Sequence, residues 1–257
     1  MRFHRFLAAL GIFASVISAE SAVIFPIDST WNFLKGFSEA SSPDPTAWRA
    51  ITFDDSGWTP AAAPFWYGDV QPSPGTPLTD MQGFYTCIFM RRTFVLNNVN
   101  DISELQLGAQ SDDGFIAWIN EQPVASFNMP PGDIPFDGTS SPALQEPIPF
   151  QNFTLGNPRA YLVNGTNVIA VQAFNSSLSQ SSDFVINVSL SSTVDTAPPA
   201  VAGLIPPAGA TVSGLSDIEV QFSEDVTGVD AGDLLINGVP AADVTIFNAS
   251  QYAFTFP

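Results

Sequence analysis

Asn167-Val-Ile-Ala-Val-Gln-Ala-Phe-Asn175 carries apolar side chains at both odd and even positions. A half-buried strand alternates, whereas a run that is apolar on both faces belongs to a strand covered on each side. The Asn164-Gly165 step just upstream suits a tight reversal into that strand. Working outward, comparable runs at 84–94, 102–109, 114–120, 148–155 and 184–190 are separated by clusters of Gly, Pro, Asn and Ser. That spacing predicts an all-β chain built as a β-sandwich. With 22 prolines and 18 glycines, the sequence sustains no helical period.

The pattern breaks at Ser191-Ser-Thr-Val-Asp-Thr-Ala-Pro-Pro199, where adjacent prolines follow a segment without core-forming periodicity. Residues 191–199 are therefore expected to be a linker between a domain at 20–190 and a second one at 200–257. In the second, Ile218-Glu-Val-Gln-Phe222 alternates, Leu234-Leu-Ile-Asn-Gly238 ends in a turn, and strands are expected at 244–247 and 252–256. Its 58 residues are fewer than the roughly 100 of a whole immunoglobulin-type sandwich, so an incomplete Ig-like sandwich is expected, with further domains after Pro257.

At the other end, Met1-Arg-Phe-His-Arg5, an apolar run over 6–17 and then Ser18-Ala19 describe a secretory signal peptide, residues 1–19. The run is shorter than the roughly 20 apolar residues of a membrane span, and no later segment is long and apolar enough to be one. Arg2 and Arg5 leave with the leader, so five basic side chains remain against 25 acidic ones. A surface of that sign repels nucleic acid, which is excluded as a partner, and suits solubility in an extracellular setting. His4, the one histidine, leaves too, which removes Ser-His-Asp and Cys-His catalysis and His-ligated zinc. Cys87 has no partner for a disulfide and alternates with Tyr85 and Phe89, as a small core residue does.

Three phrases together resemble the galactose-binding-like jelly roll, a sandwich used by carbohydrate-binding modules and by sugar-binding domains of glycosidases. The first is Trp48-Arg-Ala-Ile-Thr-Phe-Asp-Asp-Ser-Gly-Trp58, in which Asp54, Asp55 and Ser56 can close an Asx-type turn between the anchors Phe53 and Trp58. The second is Ser111-Asp-Asp-Gly-Phe-Ile-Ala-Trp-Ile-Asn120, followed by Glu121 where the family's hairpin has glycine. The third is Leu162-Val-Asn-Gly-Thr-Asn-Val-Ile-Ala-Val171. Further phrases, Trp31-Asn-Phe-Leu-Lys-Gly36, Ser41-Ser-Pro-Asp-Pro-Thr-Ala-Trp-Arg49 and Ser182-Asp-Phe184, resemble the N-terminal module of large bacterial surface proteins. Residues 200–257, through the phrase at 222–238, are similar to bacterial Ig-like repeats, which usually act as spacers.

The resemblance implies a secreted, non-catalytic module on an Ig-like spacer, with a glycan or another cell-surface polymer as its partner. A purely structural stalk without a ligand site is the alternative. A glycosidase working through two carboxylates about 5 to 9.5 Å apart ranks third, because no such pair is arranged in the sequence. For the ligand, Trp66 and Tyr67 stand beside the proline-rich loop 71–77 and are the candidate sugar platform. Asp112 and Asp113 are the candidate metal ligands. Their Asp-Asp-Gly phrase resembles the calcium loop of protective-antigen-like lectin domains, against the plainer reading of a turn with both carboxylates solvated. Asp225, Asp230 and Asp233 lack the dense ligand spacing of an EF-hand loop and read as turn acids. Five Asn-x-Ser/Thr triplets, at Asn152, Asn164, Asn175, Asn187 and Asn248, are idle in a bacterial setting.

Overall fold

A computed structural model describes residues 20–68, 75–141, 148–194 and 198–256. The expected signal peptide, most of the loop after Tyr67 and part of the expected linker lie outside the described residues. The first unit is made of strands β1 (Glu20–Phe25), β2 (Thr30–Lys35), β3 (Thr59–Ala62), β4 (Phe65–Tyr67), β5 (Thr76–Pro77) and β6 (Cys87–Leu96). It continues with β7 (Ile102–Asp112), β8 (Gly114–Ile119), β9 (Gln122–Phe127), β10 (Gln151–Leu155), β11 (Gly165–Phe174) and β12 (Phe184–Val194). One sheet runs β10-β7-β12-β4-β5, with β1 also paired to β12, and the other runs β3-β2-β6-β11-β8-β9. Every pairing is antiparallel except the short β4–β5 contact.

The opening expectation for β11 holds. Ile169, Val171 and Ala173 sit in the core between the sheets, with Phe65, Leu107, Phe115, Ile186 and Val188. Ala170 and Phe174, on the opposite face, join a second cluster with Trp48, Cys87, Phe89 and Trp118. What covers that outer face is irregular chain rather than a third sheet. A 3₁₀ turn at Ala47–Arg49, the half-buried Phe53 and Trp58, and Met129, Ile134 and Phe136 lie over it. Trp48 packs edge-on against Phe89 and Trp118, with ring centroids 5.1 and 5.6 Å apart.

Arg91 on β6 pins this layer down. Its Nε donates to Asp55 Oδ2 at 2.9 Å, Nη1 to the carbonyls of Trp48 and Ala50, and Nη2 to that of Phe53. The predicted Asx turn therefore uses one acid, Asp54, which accepts the Ser56 N–H at 3.0 Å. Its neighbour Asp55 serves the guanidinium.

Asn167 in the third phrase has a comparable task. Fully buried, it accepts the N–H of Val163 and the Asn120 amide, and donates to the carbonyls of Val163 and Gly165. A buried amide satisfied on both sides locks the turn onto the strand that follows.

Strand β12 reaches Val194, past the composition break placed at residue 191. Its last residues pair with β1 on one side and β7 on the other. Ser and Thr fit a pleated surface without showing apolar alternation, so the pattern missed them.

The second unit has β13 (Val201–Ile205), β14 (Asp217–Phe222), β15 (Leu235–Ile236), β16 (Val239–Pro240), β17 (Asp243–Asn248) and β18 (Gln251–Thr255). They form a four-stranded sheet, β13-β14-β18-β17, and a hairpin, β15–β16. The hairpin turns at Asn237-Gly238, both at positive φ, as the Asn-Gly step predicts. A small core gathers Val220, Ala241, Tyr252 and Phe254.

Candidate binding cleft

Trp66 and Tyr67 do not stand on a loop. Pro64 and Gly68 read as turn punctuation, but a three-residue strand fits between them, and β4 pairs with β12 through Tyr67 and Phe184. Tyr67 is only 7% exposed and stacks on Phe184. Its hydroxyl donates to the Ser181 carbonyl at 3.2 Å and accepts the Asn175 amide at 2.5 Å. Burial pushes the phenol's pKa up. Trp66 is half-buried, and its indole N–H has no partner among the described residues. Tyr67 is thus a sandwich residue rather than a platform.

Asp112 ends β7 opposite Val185, and Asp113 sits between β7 and β8. The solvated-turn picture does not hold, because the two residues are 3% and 1% exposed. Asp113 donates its N–H to the Phe174 carbonyl, its own carbonyl accepts the Asn128 amide, and its Oδ2 accepts the Ser176 N–H at 2.7 Å. Gly114 follows because a Cβ there would fall 2.8 Å from Met129 Sδ. Beside them is buried Asn175, whose Oδ1 has no partner among the described residues. Carboxylates and amide oxygens are the kind of hard donor that calcium takes. Among the described residues, no three His, Cys, Asp or Glu side chains form one group. In the second unit, Asp230 and Asp233 cap the 3₁₀ turn Ala231–Asp233 reciprocally, the use expected of turn acids.

Another concavity lies elsewhere on the first unit. A cleft of about 560 Å³ opens between the outer face of β8, the β8–β9 turn and the proline-rich segment 130–133. The buried Trp118 and Ile116 lie beneath it, and the exposed Pro123, Pro130 and Pro131 line its sides. Arg49 closes one end. Its guanidinium lies 3.8 Å from the centroid of the Trp118 ring, and Nη1 donates to Asp133 Oδ1 at 2.7 Å. The Arg49 side chain is 9% exposed, and its Nε has no partner among the described residues. Glu121 stands at the rim.

Arg49, Trp118 and Glu121 stand in separate phrases of the sequence, and their spacing does not place them in one cleft. The signal available was Glu121 itself. Asn120 and Glu121 have φ of 49° and 72°, a two-residue turn in which the second position ordinarily takes glycine. An acid retained there asks for a reason.

No family model matches the chain, and no curated protein does. Among solved structures, Bacteroides uniformis β-glucuronidase 2, covalently bound to cyclophellitol-6-carboxylate aziridine, is similar at 16% identity over 80% of this chain, with a TM-score of 0.43. Bifidobacterium dentium β-glucuronidase, complexed with coumarin-3-O-glucuronide, is similar at 16% identity over 92% of this chain, with a TM-score of 0.41. A β-glycosidase from Bacteroides vulgatus is similar at 14% identity over 93%, with a TM-score of 0.39. This chain spans 22%, 41% and 29% of those three chains respectively.

Proposed function

We propose that the first unit is a secreted, non-catalytic module that holds a carbohydrate or another surface polymer in the cleft beside Trp118. The observation that carries this is the cleft's make-up: exposed proline walls, and the convergent polar groups of Arg49, Asp133 and Glu121, with the Arg49 guanidinium laid over the buried Trp118 ring. Its volume falls within the roughly 300–1,000 Å³ of ligand pockets, and sugars need both apolar faces and paired donors and acceptors.

Support for a non-catalytic role comes from the side chains. The mature chain is without histidine once His4 is removed, and burial pushes the Cys87 thiol up to about 12, far from a reactive thiolate. Asp44, Asp54 and Asp80 are held below the ordinary carboxyl range by hydrogen bonds, from Thr46, Ser56 and Lys35 respectively. A general acid needs a shift in the other direction.

Calcium belongs to the same proposal as a structural ion at Asp112, Asp113 and the Asn175 amide oxygen. It would supply a positive centre among buried oxygens and order the 111–114 segment against 175–176.

Two measurements on the secreted chain test the proposal. A glycan array should give signal that falls on Arg49→Ala and survives Trp66→Ala. Calorimetry with calcium chloride should give heat that disappears in Asp112→Ala. An array blank across all glycans removes the binding role, and absence of heat in the wild type removes the ion. The burial of Tyr67 favours the second reading, a structural part of a larger surface protein, and an array blank would leave that reading standing.

A further inference from the structure

We infer that the cleft selects neutral glycans and rejects acidic ones, with Glu121 as the residue that sets this preference. The inference rests on the binding role proposed above and commits its ligand class.

The charges in the cleft are unequally answered. Arg49 and Asp133 neutralise each other at 2.7 Å, whereas Glu121 takes part in no ion pair or hydrogen bond among the described residues. The cleft therefore presents one uncommitted carboxylate at its rim, in a mature chain with 25 acidic and five basic side chains. A uronic-acid or sulfated polymer would bring like charge to that carboxylate, and Arg49, the cation lining the cleft, is already ion-paired to Asp133. Sugar hydroxyls, by contrast, donate to a carboxylate in charge-assisted hydrogen bonds while C–H faces lie on Pro123, Pro130 and Pro131.

Backbone geometry supplies a second, independent observation. Glu121 occupies the left-handed region at φ 72°. There glycine is free of strain and a side chain is not, and residues held in such places cluster where a ligand is met. Glu121 is exposed and packs into no core, so the fold draws nothing from the side chain that glycine would not improve.

The test uses the whole secreted chain, as wild type, Glu121→Gln and Glu121→Gly. A glycan array carrying neutral and uronic-acid oligosaccharides comes first, followed by calorimetry with the strongest neutral hit. The wild type should bind neutral glycans and not uronates. Glu121→Gln should weaken the neutral ligand by about tenfold, the size of one charge-assisted hydrogen bond, and raise the uronate signal. Glu121→Gly should melt at a higher temperature than the wild type while binding more weakly, a split that a merely structural glutamate would not produce. Uronate binding equal to or stronger than neutral binding in the wild type overturns the inference and leaves the binding role intact. So does an unchanged affinity in both variants. A blank array overturns the binding role and this inference with it.

Discussion

Arg91→Met is the sharpest probe of the layer over β11. The guanidinium is 1% exposed, and its replacement leaves the Asp55 carboxylate and the carbonyls of Trp48, Ala50 and Phe53 without their donor. Removing one partner of a buried ion pair costs about 3–5 kcal/mol. Asp55 is 22% exposed, so water reaches it and part of the site beside it, which holds the total inside that range, near about 4 kcal/mol. Methionine fills most of the stem's volume, so little cavity is added. For a unit of this size, a loss of that magnitude lowers the melting temperature by roughly 10 °C. Trp31, Trp48, Trp58, Trp66 and Trp118 all lie in the first unit, so tryptophan fluorescence in urea follows its unfolding within the intact chain. Asp55→Asn should cost less, because the partially exposed acid can be hydrated. A loss under about 1 kcal/mol for Arg91→Met would refute the idea that this one side chain fastens residues 48–58 to the sheet.

Cys87 is buried and its thiol stays protonated to about pH 12. Maleimide should therefore leave the native chain unlabelled at pH 7.5 and modify it fully in urea, and rapid native labelling would place the thiol outside the core. Asp80 titrates low in the native state because Lys35, 2.6 Å away, and the Tyr85 hydroxyl both donate to it. The stability it contributes is complete above its ordinary pKa near 4 and is lost as pH falls through its lower native value. The pair is about half exposed, so the effect stays well under 1 kcal/mol. Asp80→Asn should flatten the acid limb of the stability–pH curve below about pH 4, measured by urea melts, and an unaltered slope would count against the pair.

The sandwich was legible wherever apolar residues carried the pattern. The strands expected at 102–109, 114–120 and 167–175 appear as Ile102–Asp112, Gly114–Ile119 and Gly165–Phe174. Where the pattern failed, the reason is local. The strand expected from Phe84 begins at Cys87, because Gly83 turns at φ 85° and leaves Phe84 72% exposed. β1, β3 and β13 are short or edge strands whose residues alternate weakly. The outer layer has no periodicity to detect, since irregular chain is held by Arg91 and by aromatic packing rather than by a ladder. Candidate ligand residues fared worse for a related reason. Aromatic residues beside prolines look exposed in sequence, yet the face a side chain occupies is decided by strand pairing. The cleft draws Arg49, Trp118, Glu121 and residues 130–133 from three stretches that become neighbours only after folding.

The pairing of β1 with β12 bears on mechanics. Glu20 lies opposite Val194, so the first and last described strands of this unit run antiparallel with the unit's two chain ends side by side. Tension applied through those ends acts across the ladder and breaks its hydrogen bonds one rung at a time, in the manner of peeling rather than shear. Peeling requires little force. A module opened in this way is poorly suited to carrying load through its own two ends.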